Sequence, residues 1–189
     1  MAVSNSSAGK PVGTGGFLDP GVIVDKFGIT EGMRIADFGC GAGYFTILMA
    51  KRAGPAGKVY ALDIQETALD SVRAKARANN IDNIETIRTN LEILGSSSLE
   101  SDSQDSVMLH NVLFQSQKRP EIIREASRIL KPGGKIIVIE WAKGGGGFGP
   151  PDELRLDPSD IEYMAKKEKL ILEKKLETGQ FHFGLVFKK

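Results

Sequence analysis

The chain of 189 residues has a single cysteine, Cys40, so it can form no internal disulfide and supply no thiolate cluster to a metal. It lacks an excess of either charge: 25 Lys and Arg face 24 Asp and Glu, for a net charge of +1. That balance speaks against a nucleic-acid or anionic-membrane partner. No apolar run approaches the roughly 18 residues of a membrane span. Residues 1–16, MAVSNSSAGKPVGTGG, lack both the apolar core of a signal peptide and any helical period. They are expected as a flexible leader, ahead of one domain over 17–189. The expectation is a cytoplasmic protein without a metal.

What is present is alternation. Asp19 and Pro20 can cap and open a short helix with Val22, Ile23 and Phe27 inward. Strand-like runs at 33–39, 58–64, 83–89, 106–112 and 135–141 then alternate with helical patterns at 44–54, 66–80 and 120–130. KIIVIEW, 135–141, reads as a central strand covered on both faces. Ser159 and Glu162 are spaced as a capping box for one more helix. The tail reads as two strands around Thr178-Gly179. The pattern predicts a doubly wound, Rossmann-like α/β fold: a mostly parallel seven-stranded sheet with an antiparallel C-terminal edge hairpin.

The stretch ADFGCGAGYFT, 36–46, is a glycine-rich turn after the first strand, where such folds bind nucleotides. Its glycines, Gly39, Gly41 and Gly43, read G-x-G-x-G rather than the dinucleotide G-x-G-x-x-G. Asp63 ends the second strand about 20 residues on, where an acid takes ribose hydroxyls. These features allow either NAD or S-adenosylmethionine. Asp37 decides between them: a carboxylate repels a pyrophosphate but attracts an ammonium and a sulfonium.

With those motifs the chain resembles the class I S-adenosylmethionine-dependent methyltransferases, and is similar to their ubiquinone/menaquinone-biosynthesis branch. ADFGCGAGYFT and VYALDIQ match the family's first two motifs, RTNLE (88–92) its adenine contact, and DSVMLHNVL its fourth-strand motif. RILKPGGKIIVIEW and the closing FHFGLVFKK match later segments. The resemblance implies a cofactor site of Asp37, Gly39, Cys40, Gly41, Gly43, Asp63, Ile64, Asn90, Leu91, His110 and Asn111. Asn90 and Leu91 would meet the base, and His110 and Asn111 the methionine moiety.

The expected activity is methyl transfer to a small-molecule acceptor by in-line displacement. An NAD-dependent oxidoreductase and a non-catalytic cofactor-binding subunit are the competing readings. No residue is assigned as catalytic: His110 can be a base or a structural histidine, and His182 reads as structural in an edge strand. GGGGFGPP (144–151) lacks the Gly-Lys-Ser/Thr of a phosphate loop and reads as a mobile flap over the acceptor. Glu140 and Trp141 would face the acceptor, with Asp152, Glu153 and Arg155 just beyond. The fourth strand ends in HNVL rather than the Asn/Asp-Pro-Pro-aromatic pattern of base-nitrogen methylation, which favours a small acceptor.

Overall fold

A computed structural model describes residues 18–144 and 147–189. The expected leader lies outside the described residues. Seven strands form one sheet in the order β3-β2-β1-β4-β5-β7-β6. They are β1 (Arg34–Phe38), β2 (Lys58–Asp63), β3 (Ile84–Arg88), β4 (Gln104–His110), β5 (Leu130–Trp141), β6 (Ile171–Leu176) and β7 (His182–Lys188). The first five run parallel, and β7 is antiparallel to both β5 and β6. The strand order reverses between β1 and β4, so the carboxyl ends of these two strands flank an open crevice.

Side-chain alternation builds the two faces. Ala36, Phe38, Val107, Leu109, Ile136 and Val138 point to the face covered by α4 (Arg119–Ile129) and α5 (Pro158–Lys167). Ile35, Val59, Met108, Ile137 and Ile139 point to the face covered by α1 (Pro20–Val24) and α2 (Tyr44–Ala53). Leu69 and Val72 of α3 (Glu66–Ala78) pack with Ala61 and Cys40 beneath the glycine turn. Each apolar side chain removed from water in this way contributes about 1.5–3 kcal/mol.

Four local expectations change. Asp19 caps α1 through its carboxylate, but Val22 is exposed, and Val24 takes the inward place beside Ile23 and Phe27. Strand β4 begins two residues early, at Gln104, and ends at His110. The capping box of α5 is Asp157 with Asp160, not Ser159 with Glu162, because Pro158 takes the first helical position. His182 is not on an edge: β7 lies between β5 and β6, and β6 is the edge strand.

Candidate active site

A cavity of about 720 Å³ opens at the carboxyl ends of β1, β2 and β4. All eleven residues expected at a cofactor site line it: Asp37, Gly39, Cys40, Gly41, Gly43, Asp63, Ile64, Asn90, Leu91, His110 and Asn111. Sequence separations of up to 74 residues collapse here into one wall, because parallel strands deliver their ends to the same edge.

The cradle is built from backbone. Gly39 and Cys40 donate their amides to Leu62 O at 2.8 and 3.0 Å, tying the turn to β2. Gly39 and Gly43 take φ values of 68° and 80°, in the left-handed region. A Cβ on Gly39 would stand 2.6 Å from Val112 Cγ2, and one on Gly43 2.8 Å from Val72 Cγ2. No larger residue fits either place. Asp63 stitches the cradle to the second strand: its Oδ2 accepts from Gly41 N at 3.0 Å, and its Oδ1 from Gln65 N at 2.9 Å. Each oxygen keeps a further lone pair for the cavity.

Asp37 sits beneath this turn, 2 % exposed. Thr46, in the first turn of α2, donates its hydroxyl to Asp37 Oδ2 at 2.5 Å. Burial pushes the Asp37 carboxyl up to about 7; the Thr46 bond opposes that rise, and the Asp63 charge adds to it. Burial, with Asp37 and Asp63 close by, also pushes the Cys40 thiol up, so Cys40 is a packed side chain rather than a nucleophile. Thr46 was not anticipated. Its signal was a hydroxyl on the buried side of a helix directly after the acid-bearing strand.

The opposite wall comes from β4, β5 and β7. His110 lies 4.6 Å from Phe45, centroid to centroid, and His182 lies 4.1 Å from Trp141. Asn111 stands between the two imidazoles, its Nδ2 3.2 Å from Nε2 of each. Burial lowers both histidines to about 4, with His182 adding to the effect on His110 and Arg155 to that on His182. Both rings are therefore neutral at neutral pH. His182 and Trp141 line the cavity together with His110, an association the hairpin's place in the sheet had hidden.

Glu140, expected to face an acceptor, does not line the cavity. It is fully buried, and its Oε1 accepts from Val112 N at 2.9 Å and Leu113 N at 2.7 Å. Burial raises its carboxyl to about 7 against those amides. Arg155 is also withdrawn: it donates to the carbonyls of Pro150 (2.9 Å), Ala142 (2.5 Å) and Phe148, and its guanidinium lies 5.8 Å from the Trp141 ring centroid. It staples the segment expected as a flap, and Gly149 packs so closely on Trp141 that a Cβ there would meet Cε3 at 2.6 Å. Residues 145 and 146 of that segment lie outside the described residues. Asp152 and Glu153 are exposed on a short 3-10 turn, Asp152–Leu154. Among the described residues no group of three or more His, Cys, Asp or Glu could hold a metal ion.

A family model described as a methyltransferase domain matches residues 29–176. The chain belongs to this methyltransferase family. It is 33 % identical over 115 residues to a demethylmenaquinone methyltransferase of Lactococcus lactis, covering 61 % of this chain and 44 % of that protein. It is 31 % identical over 121 residues to a ubiquinone/menaquinone biosynthesis C-methyltransferase of Hahella chejuensis, covering 64 % and 47 %. The chain thus spans less than half the length of these relatives. A SAM-dependent methyltransferase from Aquifex aeolicus shares the fold, with a TM-score of 0.82, 24 % identity and coverage of 90 % of this chain and 89 % of that one. The resemblance to class I S-adenosylmethionine-dependent methyltransferases of the ubiquinone/menaquinone type holds, and an NAD-dependent oxidoreductase is not favoured. No helix among the described residues is long and apolar enough to cross a membrane.

Proposed function

We propose that the chain binds S-adenosylmethionine in this cavity and transfers its methyl group to a small-molecule acceptor. The observation that carries the reading is the pair of carboxylates at the cradle. Asp37 is buried beneath the glycine turn and Asp63 is bonded to its Gly41 amide, so a pyrophosphate laid on those glycines would meet two acids. A ligand with a cationic end and a ribose fits them instead.

When bound, the cofactor supplies an electrophilic methyl group on a sulfonium. The chain's own residues bind and orient. Asp63 accepts from ribose hydroxyls, and Asp37 neutralises the ammonium end. Leu91 and the exposed Ile64 flank the base, with Asn90 at its edge. His110 and Asn111 close the methionine side. Neutral imidazoles at His110 and His182, beside Trp141, form a wall that an acceptor can press against without displacing a charge. Alignment and exclusion of water then account for the rate, with effective molarities equivalent to about 7–11 kcal/mol. The sulfonium departs as a neutral thioether, so the leaving group needs no acid from the chain, and the proton that the acceptor gives up passes to solvent.

The acceptor is read from relatives. Demethylmenaquinone, named in one of them, is the first compound to try, reduced to its quinol so that the ring can act as the nucleophile, followed by a mass-spectrometric screen of cell extract for products carrying a labelled methyl group. A single buried cysteine fits a reducing compartment such as the cytoplasm. Calorimetry tests the cofactor: S-adenosylhomocysteine should bind in the micromolar range, about −8 kcal/mol, and NAD far more weakly. Equal or tighter binding of NAD would sink the reading.

A further inference from the structure

Glu140 is a carboxylate at the end of a central strand, on the face that Ile136 and Val138 share, where an apolar side chain would be the ordinary occupant. It forms no salt bridge within 4 Å among the described residues, although the Arg119 charge lowers its pKa, and its second oxygen, Oε2, is buried without a hydrogen-bond partner. A buried carboxyl of this kind opposes folding unless something local compensates. The compensation lies in one short turn. Ile139 O accepts from Asn111 N at 2.8 Å, and Glu140 Oε1 accepts from the next two amides, Val112 and Leu113. Two consecutive residues of β5 thus hold three consecutive amides beyond β4.

That turn carries both halves of the cavity. Asn111 takes φ 56°, in the left-handed region that asparagine tolerates better than other non-glycine residues. From there its side chain reaches both His110 and His182. Val112 packs directly over Gly39, the first glycine of the cradle. A shift of the turn by a fraction of an ångström therefore moves the amide between the imidazoles on one side and the ceiling of the cradle on the other.

We propose that Glu140 is a positioning residue for methyl transfer, setting through the turn from Asn111 to Leu113 the places of the Asn111 amide and the Val112 side chain. The proposal rests on the methyltransferase reading of the cavity. It differs from a role in folding alone, because it requires geometry at the methyl group to depend on a carboxylate that does not touch the cavity.

The test uses the full chain with S-adenosylmethionine labelled with ¹³C at the methyl, and compares the parent with Glu140→Ala and Glu140→Gln. Removing the carboxylate should shift the bound methyl resonance and the imidazole ¹⁵N resonances of His110 and His182, and S-adenosylhomocysteine affinity should fall with them, because Asn111 and Val112 border the cofactor. Glu140→Gln keeps one oxygen for the two amides and should fall between the parent and Glu140→Ala. If Glu140→Ala does not fold, Glu140→Gln carries the test alone, with a smaller shift in the same resonances. Unmoved methyl and imidazole resonances in a folded variant overturn the proposal, even where the melting temperature drops, since Glu140 would then serve stability only. A parent protein that fails to bind the labelled cofactor refutes the methyltransferase reading itself and the proposal with it, and that failure is seen before any variant is made.

Discussion

The two walls of the cavity are built on different physical terms. On the cradle side, formed by the ends of β1 and β2, polar groups are satisfied locally: Gly39 and Cys40 by Leu62, Gly41 and Gln65 by Asp63, Asp37 by Thr46. On the side of β4, β5 and β7, buried polar atoms are left over. Among the cavity-lining residues, Asn111 Oδ1 and His182 Nδ1 have no hydrogen-bond partner among the described residues, and no cradle atom shares that condition. A satisfied wall is set before any ligand arrives, and an unsatisfied one retains a cost that partners can relieve. On the proposed reading, the cradle holds the cofactor and the other wall has latitude for the acceptor.

The largest expected effect probes the exception on the cradle side, the buried acid Asp37. Its pKa is raised from the ordinary 3.8 to about 7, so between about pH 4 and 7 the folded state holds a proton that the unfolded state has lost. Its contribution favours folding at low pH and is lost as pH rises through that window, by at most about 4 kcal/mol. Glu140, raised from 4.5 to about 7, adds a loss of the same sign. Asp37→Asn should therefore raise the melting temperature of the ligand-free protein at pH 8 and flatten part of the pH dependence. It should also weaken S-adenosylhomocysteine more than adenosine. Parent binding of S-adenosylhomocysteine near pH 6 should release a proton, visible as a buffer-dependent calorimetric enthalpy. A buffer-independent enthalpy would show that Asp37 does not meet the cationic end.

Next comes the backbone of the cradle. Gly39→Ala places a methyl group 2.6 Å from Val112 Cγ2 at a φ of 68°. Strain and overpacking together should cost about 2–4 kcal/mol, read by urea denaturation. Because Val112 belongs to the turn held by Glu140, the damage should cross from one wall to the other. Gly41→Ala is the control: its φ is 50°, but an added Cβ meets nothing within 4 Å. It should cost only the conformational term, about 1–2 kcal/mol. Equal losses for the two variants would mean that the contact with Val112 does not constrain the cradle.

Asp63→Ala should weaken S-adenosylhomocysteine by about 1.5–3 kcal/mol, the range for hydrogen bonds to a charged group. Since Asp63 also holds the Gly41 and Gln65 amides, part of that loss should appear as reduced stability of the empty protein. An affinity within twofold of the parent would move the ribose elsewhere.

The contrast between the walls also explains what was legible in the sequence. Asp37, the glycines and Asp63 lie in two short segments, and their spacing encodes a strand, a turn and the next strand end directly. The other wall is assembled from positions 110, 141 and 182, which become neighbours only through the strand order. Placing β7 between β5 and β6 brought His182 to Trp141, whereas a plain terminal hairpin would have left it at the edge. Glu140 was misplaced by reading its position along β5 without its parity. It shares its face with Ile136 and Val138, toward α4, while Trp141 shares the opposite parity with Ile137 and Ile139. Arg155 was read only as lying just beyond the acceptor end of β5, because nothing in the sequence shows that carbonyls of 142, 148 and 150 converge on it.

The smallest expected effect separates two readings of the α5 cap and tests whether the acceptor wall can be loosened without touching the cradle. Asp157 precedes Pro158, and its partner Asp160 reaches back to the Asp157 amide at 3.4 Å. Asp157 also pairs with Lys143, just beyond β5, at 2.6 Å. Both groups of that ion pair are about half exposed, so the pair adds little and the cap dominates. Asp157→Ala should cost about 1 kcal/mol, a fall of roughly 2–4 °C in melting temperature for a chain of this size. Ser159→Ala, at the position where a capping box was first expected, should stay within about 0.5 kcal/mol of the parent. Neither substitution touches a cavity-lining residue, so S-adenosylhomocysteine affinity should be unchanged in both. A loss of affinity in Asp157→Ala without one in Ser159→Ala would show that the segment between β5 and α5 reaches the cofactor, and the division into two walls would then fail on the acceptor side.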